Sequence, residues 1–356
     1  MNMKRKKYTG DSAMRKRSFT HLSLLLVLVL IGGVSAFAGD ETRTGTAGAT
    51  ELLIPVGGRS TALSGSTIAS TSGADALFWN PAGACRIDGS TEVLFNSMNY
   101  IADIHVNYFA VTTSVSGTGA LGVSIKTLNF GDIPITTTSL PEGTGSTYSP
   151  SYITFGVSYA NKFTDRILGG FTLKYVSEKI LETSATGVAL DLGIQYISSS
   201  GLKLGVTLKN LGPQMQYSGE NLNYSVKLPD QQTGAAARAL ALPTTGFELP
   251  STLEFGAGYD LKLPDDLGVL GLSGVFQNSN FGDDEFRFGA EYAWNNVIFL
   301  RGGITRTQNQ SNNIFGPSFG IGINVPVGGT TIGFDYSYRK ADYFDGNQWI
   351  TVRLTM

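Results

Sequence analysis

From residue 91 to the end, the chain is built from segments of about ten residues in which apolar and small or polar side chains strictly alternate. Ile153, Phe155, Val157 and Tyr159 alternate with Thr154, Gly156, Ser158 and Ala160. Val188, Leu190, Leu192, Ile194 and Tyr196 alternate with Ala189, Asp191, Gly193 and Gln195. Leu253–Leu261, Phe286–Trp294 and Ile332–Tyr338 repeat the pattern. Side chains point to opposite faces along a strand, so each segment has one apolar face and one small or charged face. Fourteen such strands are predicted: 91–100, 103–115, 120–130, 151–162, 166–180, 184–198, 201–211, 251–262, 267–279, 284–294, 296–307, 317–326, 329–340 and 346–356.

The joints between segments tend to alternate in length. Ser116–Gly119, Phe163–Asp165, Ser199-Ser200, Pro264–Asp266, Asn295 and Val327-Gly328 are short, whereas 131–150, 212–250, 308–316 and 341–345 are longer. An even strand number with tight turns at one rim and longer loops at the other is the pattern of an outer-membrane barrel. A secreted β-sandwich also alternates, but the strand number, the loop asymmetry and the apolar ending Ile350, Val352, Leu354, Met356 favour the barrel. The predicted fold is therefore all-β, a 14-stranded antiparallel transmembrane β-barrel. Strand charges such as Lys174, Glu178, Asp191, Glu254, Arg287, Glu291, Arg301 and Asp335 fall on one face, which becomes the lumen. Leu192 and Phe288 then face lipid. Leu192→Arg is expected to cost about 2–4 kcal/mol near the midplane, and Asp191→Asn much less. Tyr100, Phe130, Phe163, Tyr196, Trp294, Tyr338 and Phe344 lie near strand ends and fit interfacial girdles.

Residues 1–38 have the layout of an export signal. A basic stretch precedes the apolar run Leu22–Val34, and Ser35-Ala36-Phe37-Ala38 supplies an A-x-A cleavage pattern that would leave Gly39 first. The apolar core is shorter than the roughly 20 residues a spanning helix needs. This segment holds seven of the 26 Lys and Arg and one of the 28 acids, so residues 39–356 carry a net charge of −8. A mildly acidic chain is a poor general binder of nucleic acid. The expected organisation is 1–38 signal peptide, 39–90 an N-terminal hatch, and 91–356 the barrel, located in the outer membrane.

No catalytic, metal or cofactor site emerges. Gly117-Thr118-Gly119-Ala120-Leu121-Gly122 matches G-x-G-x-x-G, but it sits in a hairpin rather than at a strand-to-helix turn. His105 is the one histidine after the signal and lacks a G-x-S-x-G partner motif. The single Cys85 excludes an internal disulfide and reads as a buried thiol. Asp283-Asp284-Glu285 and Asp342/Asp345 lack EF-hand spacing and read as solvated loop charge. The expectation is a protein that is not an enzyme.

Residues 39–90 do not alternate and are too polar for lipid, which suits a plug folded into the lumen. Val56-Gly57-Gly58-Arg59-Ser60-Thr61-Ala62-Leu63, followed by Asp75–Trp79 and Trp79-Asn80-Pro81-Ala82-Gly83, resembles the N-terminus of the PorV/PorQ family. That family is part of the FadL-like group of fourteen-stranded barrels, and Asn80-Pro81-Ala82 resembles the group's hatch motif. Lys209-Asn210-Leu211-Gly212-Pro213 and Leu249-Pro250-Ser251-Thr252 are further matches, whereas Ser64-Gly65 departs where a second glycine is usual. The resemblance implies an accessory or shuttle protein of type IX secretion. Such a protein binds the C-terminal domain of secreted cargo and works with other secretion components. The alternative is a FadL-like transporter of hydrophobic small molecules, and a general porin is a third reading that the hatch argues against. Loop 212–250 is the candidate partner-binding segment, with Met215, Tyr217, Tyr224 and Phe247, and with Gly234–Leu240 as a possible short helix. A lid that merely closes the barrel is an equal reading of that loop.

Overall fold

The computed structural model describes residue 43 and residues 45–115, 117–226, 238–264, 267–308 and 313–356. Export segment 1–38 lies outside the described residues. Among them, fourteen long strands form one antiparallel sheet: β1 Thr91–Asn99, β2 His105–Ser114, β3 Gly119–Asn129, β4 Ser151–Lys162, β5 Ile167–Ile180, β6 Thr183–Ile197 and β7 Leu202–Leu211. The sheet continues with β8 Thr252–Lys262, β9 Val269–Ser279, β10 Glu285–Trp294, β11 Ile298–Thr307, β12 Phe315–Val327, β13 Thr330–Ala341 and β14 Asn347–Thr355. Each strand pairs with its sequence neighbour, and β1 pairs with β14 from Glu92↔Thr355 to Asn99↔Gln348, so the sheet closes. Closure removes every sheet edge, which a strand structure in lipid requires.

The face assignment follows the alternation. Leu192, Phe155, Leu173, Phe255, Ile321 and Phe334 are exposed on the outer face. Asp191, Lys174, Glu178, Glu254, Arg301 and Asp335 are buried on the inner one. Phe163, Trp294, Tyr338 and Phe344 are exposed aromatics at strand ends, as a girdle needs. Tyr100 and Phe130 are different: both line a cavity inside the long-loop rim. Period 2 places a side chain on a face within a strand, but these two sit just past the ends of β1 and β3, where the chain turns inward.

Residues 45–90 fill the lumen as a hatch. Short helices α1 Gly58–Ala62 and α2 Ala76–Trp79 are joined by 3-10 turns at Thr50–Leu53, Gly73–Asp75 and Pro81–Cys85. The hatch spans the closing seam. Gly57 N–H donates to Asn96 Oδ1 on β1 (3.3 Å), while Gly58 N–H donates to Thr351 Oγ1 (2.8 Å) and Trp349 Nε1 to Pro55 O (3.1 Å), both on β14.

Candidate functional site

The hatch motif works as a joint between plug and wall. Pro81 disfavours a helical residue before it, and Asn80 is extended (φ −155°, ψ 104°). That conformation ends α2 and starts the Pro81–Cys85 turn, whose Ala82 N–H donates to Asn80 Oδ1 at 3.1 Å. Asn80 Nδ2 donates to Ile68 O within the hatch (2.7 Å) and to Ile194 O on β6 (3.2 Å). One fully buried amide therefore satisfies three backbone groups. Glycines in the wall make room for it. A Cβ at Gly170 would lie 2.7 Å from the Pro81 carbonyl group, and one at Gly193 would overlap Asn80 Oδ1. Trp79 Nε1 donates to Val56 O (3.0 Å), and Phe78 packs edge-on against Trp79 with centroids 5.1 Å apart. Cys85 is buried, its thiol donating to Ala82 O at 3.3 Å, and burial pushes that thiol's pKa up.

Ion pairs hold the rest of the hatch. Arg59 makes a two-pronged contact with Glu291 on β10, 3.0 Å at each prong. Glu291 also meets Arg301 (2.6 Å), which reaches Asp335 (2.5 Å). The Glu291 charge holds the Arg59 guanidinium above its ordinary pKa. Lys126 Nζ donates to the carbonyls of Glu51 (2.6 Å) and Ile54 (3.1 Å). Burial, then the neighbouring Glu178, push the Glu51 carboxyl from 4.5 to about 7. Asp75, buried and accepting from Ser60 Oγ, is also raised by burial.

The second family-like motif forms a bulge. The β6–β7 ladder shifts register between Leu190 and Leu192, and Asn210 takes φ +59° opposite the shift. Its N–H donates to Asp191 Oδ1 (2.8 Å), its Nδ2 to Pro250 O (3.0 Å), and its Oδ1 accepts from Lys174 Nζ (2.8 Å). Lys174 also pairs with Asp191 at 2.5 Å.

A cavity of about 530 Å³ opens at the long-loop side above the hatch. Phe78 and Trp79 lie in its wall at the hatch, with Tyr100, Leu128, Phe130 and Tyr152 among its apolar lining. Arg287, Lys209 and Arg339 bring positive charge, and Glu51, Glu254 and Glu285 carry the lining carboxyls. Sequence reading missed Lys209 and Arg339 as site residues, because the alternation assigns them only to the lumenal face.

The long loop after β7 divides in two. Met215 and Phe247 exchange backbone hydrogen bonds (2.9 and 2.8 Å). Met215 is buried with Ala49, Leu52, Val176 and Leu249, and Tyr217 and Phe247 pack against this cluster. Tyr217 also stacks near Phe247 (5.6 Å) and donates to Glu178. Three of the four candidate side chains thus fasten the loop to wall and hatch. Tyr224 is exposed, on a hairpin pairing Asn223–Val226 with Arg238–Ala241. Leu240 sits opposite Tyr224 and is exposed, as is Leu242. The expected helix 234–240 is strand from Arg238 onward, where cross-strand pairing with Asn223–Val226 takes up the backbone; residues 234–237 lie outside the described set. Asp284 also differs from expectation: it is buried and accepts from Asn278 Nδ2 at 2.8 Å rather than being solvated. His105 lies exposed at the rim with Nδ1 2.8 Å from Asn99 Oδ1.

A closed fourteen-stranded barrel with an N-terminal lumenal hatch defines an outer-membrane β-barrel protein. Residues 37–228 match the family described as Type IX secretion system protein PorV, and the chain belongs to that family. Membership associates it with type IX secretion. The fold is similar to the CymD monoaromatic hydrocarbon channel (12% identity, 85% of this chain and 97% of that one, TM-score 0.53). It is also similar to a FadL homologue of Pseudomonas aeruginosa (11% identity, 85% and 98% covered, TM-score 0.51). At such identities the likeness is one of fold. No curated protein matches the chain significantly.

Proposed function

We propose that the protein is an accessory of type IX secretion that receives secreted cargo by its C-terminal domain at the long-loop rim, and that it reaches the outer membrane after cleavage behind Ala38. The observation that carries this reading is an exposed apolar hairpin at the rim of a lumen that the hatch occupies. The hatch is pinned to both halves of the wall. Strand β3 stays in register with β2 from His105↔Asn129 to Ser114↔Ala120 and with β4 from Gly119↔Asn161 to Asn129↔Ser151, which leaves no side exit there. A lumen occupied by the hatch and a wall unbroken at β3 suit holding something at the rim better than passing it through. Tyr224, Leu240 and Leu242 offer apolar anchors there, and anchors of this kind contribute about 2 kcal/mol each when they become hot spots.

The test removes the hairpin between Gly219 and Pro243 and keeps the Met215–Phe247 fastening. The variant should remain a heat-modifiable barrel and lose capture of secreted C-terminal domains in a pull-down from native membranes. Normal capture by that variant refutes the loop assignment. The aromatic cavity favours a second reading, a transporter of hydrophobic small molecules. Restored uptake of long-chain fatty acids, with no cargo captured by the intact protein, would select it.

A further inference from the structure

We infer that the lumenal cavity is a seat for the C-terminal end of a polypeptide, with Arg339 receiving the free α-carboxylate. The inference rests on the cargo-holding reading only in that cargo would supply the chain end. It starts from the charges. Of the three lining carboxylates, Glu254 and Glu285 are both taken by Arg287, at 3.5 and 2.8 Å, and Glu51 pairs with neither Arg339 nor Lys209. Among the described residues, Arg339 and Lys209 have no carboxylate within ion-pair distance. Aromatic rings hold them instead: Arg339 lies 3.8 Å from the Phe315 centroid and 5.4 Å from that of Trp349, and Lys209 Nζ lies 4.4 Å from Phe78 and 5.4 Å from Trp79. Arg339 Nε is buried with no hydrogen-bond partner. Unmet buried polar groups of this kind call for a ligand or another explanation, and a guanidinium is the residue best shaped for a carboxylate.

The walls select the rest of the ligand. Tyr100, Phe130 and Tyr152 form an apolar side, and Thr252, Gln277 and Thr305 a polar one. A plain alkyl chain would strip water from the polar side without replacing its hydrogen bonds. An extended peptide meets both, with side chains on one wall and backbone amides on the other. The hatch closes the bottom, so a chain enters from the rim and stops, which fits an end rather than a passing segment. The volume falls in the ~300–1,000 Å³ range of ligand sites and admits a few residues. Capture of a terminal carboxylate is a known mode of peptide recognition.

The experiment uses the full-length mature protein in detergent and fluorescein-labelled octapeptides ending in apolar residues, each as free acid and as C-terminal amide. Fluorescence anisotropy should show saturable binding of acids and at least about tenfold weaker binding of amides. Arg339→Gln should cost the acids a similar factor and leave the amides unchanged, while Arg339→Lys should retain part of the affinity. The acid–amide comparison needs no variant, so it stands if Arg339→Gln fails to fold. Equal affinity for acid and amide, wild-type affinity in a folded Arg339→Gln barrel, or no peptide binding at millimolar concentration overturns the inference. Binding of laurate in the absence of peptide binding also overturns it and makes the cavity a fatty-acid site. Capture of whole C-terminal domains that ignores Arg339→Gln leaves the holding role intact and removes this seat. Acid-selective peptide binding with no capture of whole domains does the reverse.

Discussion

Gly170→Ala tests whether the hatch is seated by wall glycines. The added methyl would lie 2.7 Å from both the carbonyl carbon and oxygen of Pro81 and 2.9 Å from Ala82 N. Contacts of this type are comfortable at about 3.5–4 Å, so the hatch must retreat by most of an ångström. Both partners are backbone, and no rotamer change can relieve the overlap. Overpacking alone costs about 1–3 kcal/mol. Retreat also stretches the Asn80 bonds to Ile68 O, Ile194 O and Ala82 N (2.7, 3.2 and 3.1 Å), each worth about 1 kcal/mol. The hatch should therefore be loosened by about 2–4 kcal/mol while the strand ladder stays intact. Gly258→Ala is the control, since its methyl would meet nothing nearer than 3.5 Å. In planar bilayers Gly170→Ala should conduct where wild type and Gly258→Ala do not, and trypsin should cut at Arg59 or Arg86 in folded barrels. A silent Gly170→Ala barrel with wild-type protection refutes the seating argument.

Three further outcomes are expected. Leu192→Arg should destabilise the barrel by about 2–4 kcal/mol near the midplane in a refolding titration. Asp191→Asn should cost a comparable amount rather than much less, because it strands the buried Lys174 of a 2.5 Å pair; a cost below about 1 kcal/mol would show that Asn210 alone satisfies that lysine. Glu51 gives a pH dependence: its folded pKa of about 7 lies above 4.5. The folded state then binds more protons between those values, so stability is full below about 4.5 and falls as pH rises towards 7, by on the order of 2–3 kcal/mol. Protection factors at residues 49–54, corrected for the intrinsic rise of amide exchange with pH, should fall across that window in wild type and stay flat in Glu51→Gln; equal slopes would exclude Glu51 as the source.

The strands were legible because lipid imposes period 2 on one face. All fourteen fall where the alternation puts them, and ends differ by a few residues, as with β12 at Phe315–Val327 against 317–326. Asn80 and Pro81 were legible as a joint because proline restricts its neighbour. What Asn80 touches was not, since Ile194 lies 114 residues away and no local pattern encodes that pairing. The same holds for Lys209 and Arg339. Each reads as one more lumenal cation until the three-dimensional pairing shows that Arg287 has taken the nearby carboxylates. In the long loop, composition could not separate Met215, Tyr217 and Phe247, which fasten it, from Tyr224, which is presented outward.

The bridging of β1 and β14 by the hatch bears on how the protein is made. Asn96 and Thr351 are hydrogen-bonded to each other (2.8 Å) and to Gly57 and Gly58, so the first and last strands meet over the plug's backbone. The plug precedes every strand in the chain, yet Gly58 N–H and Pro55 O find their partners only when the final strand arrives. Closing the cylinder and seating the plug are therefore one cooperative event, in which the N-terminal segment acts as a template for the last strand to be added. An assembly intermediate held open at this seam would have its plug unmoored, and it would be the most protease-sensitive species on the route to the finished barrel.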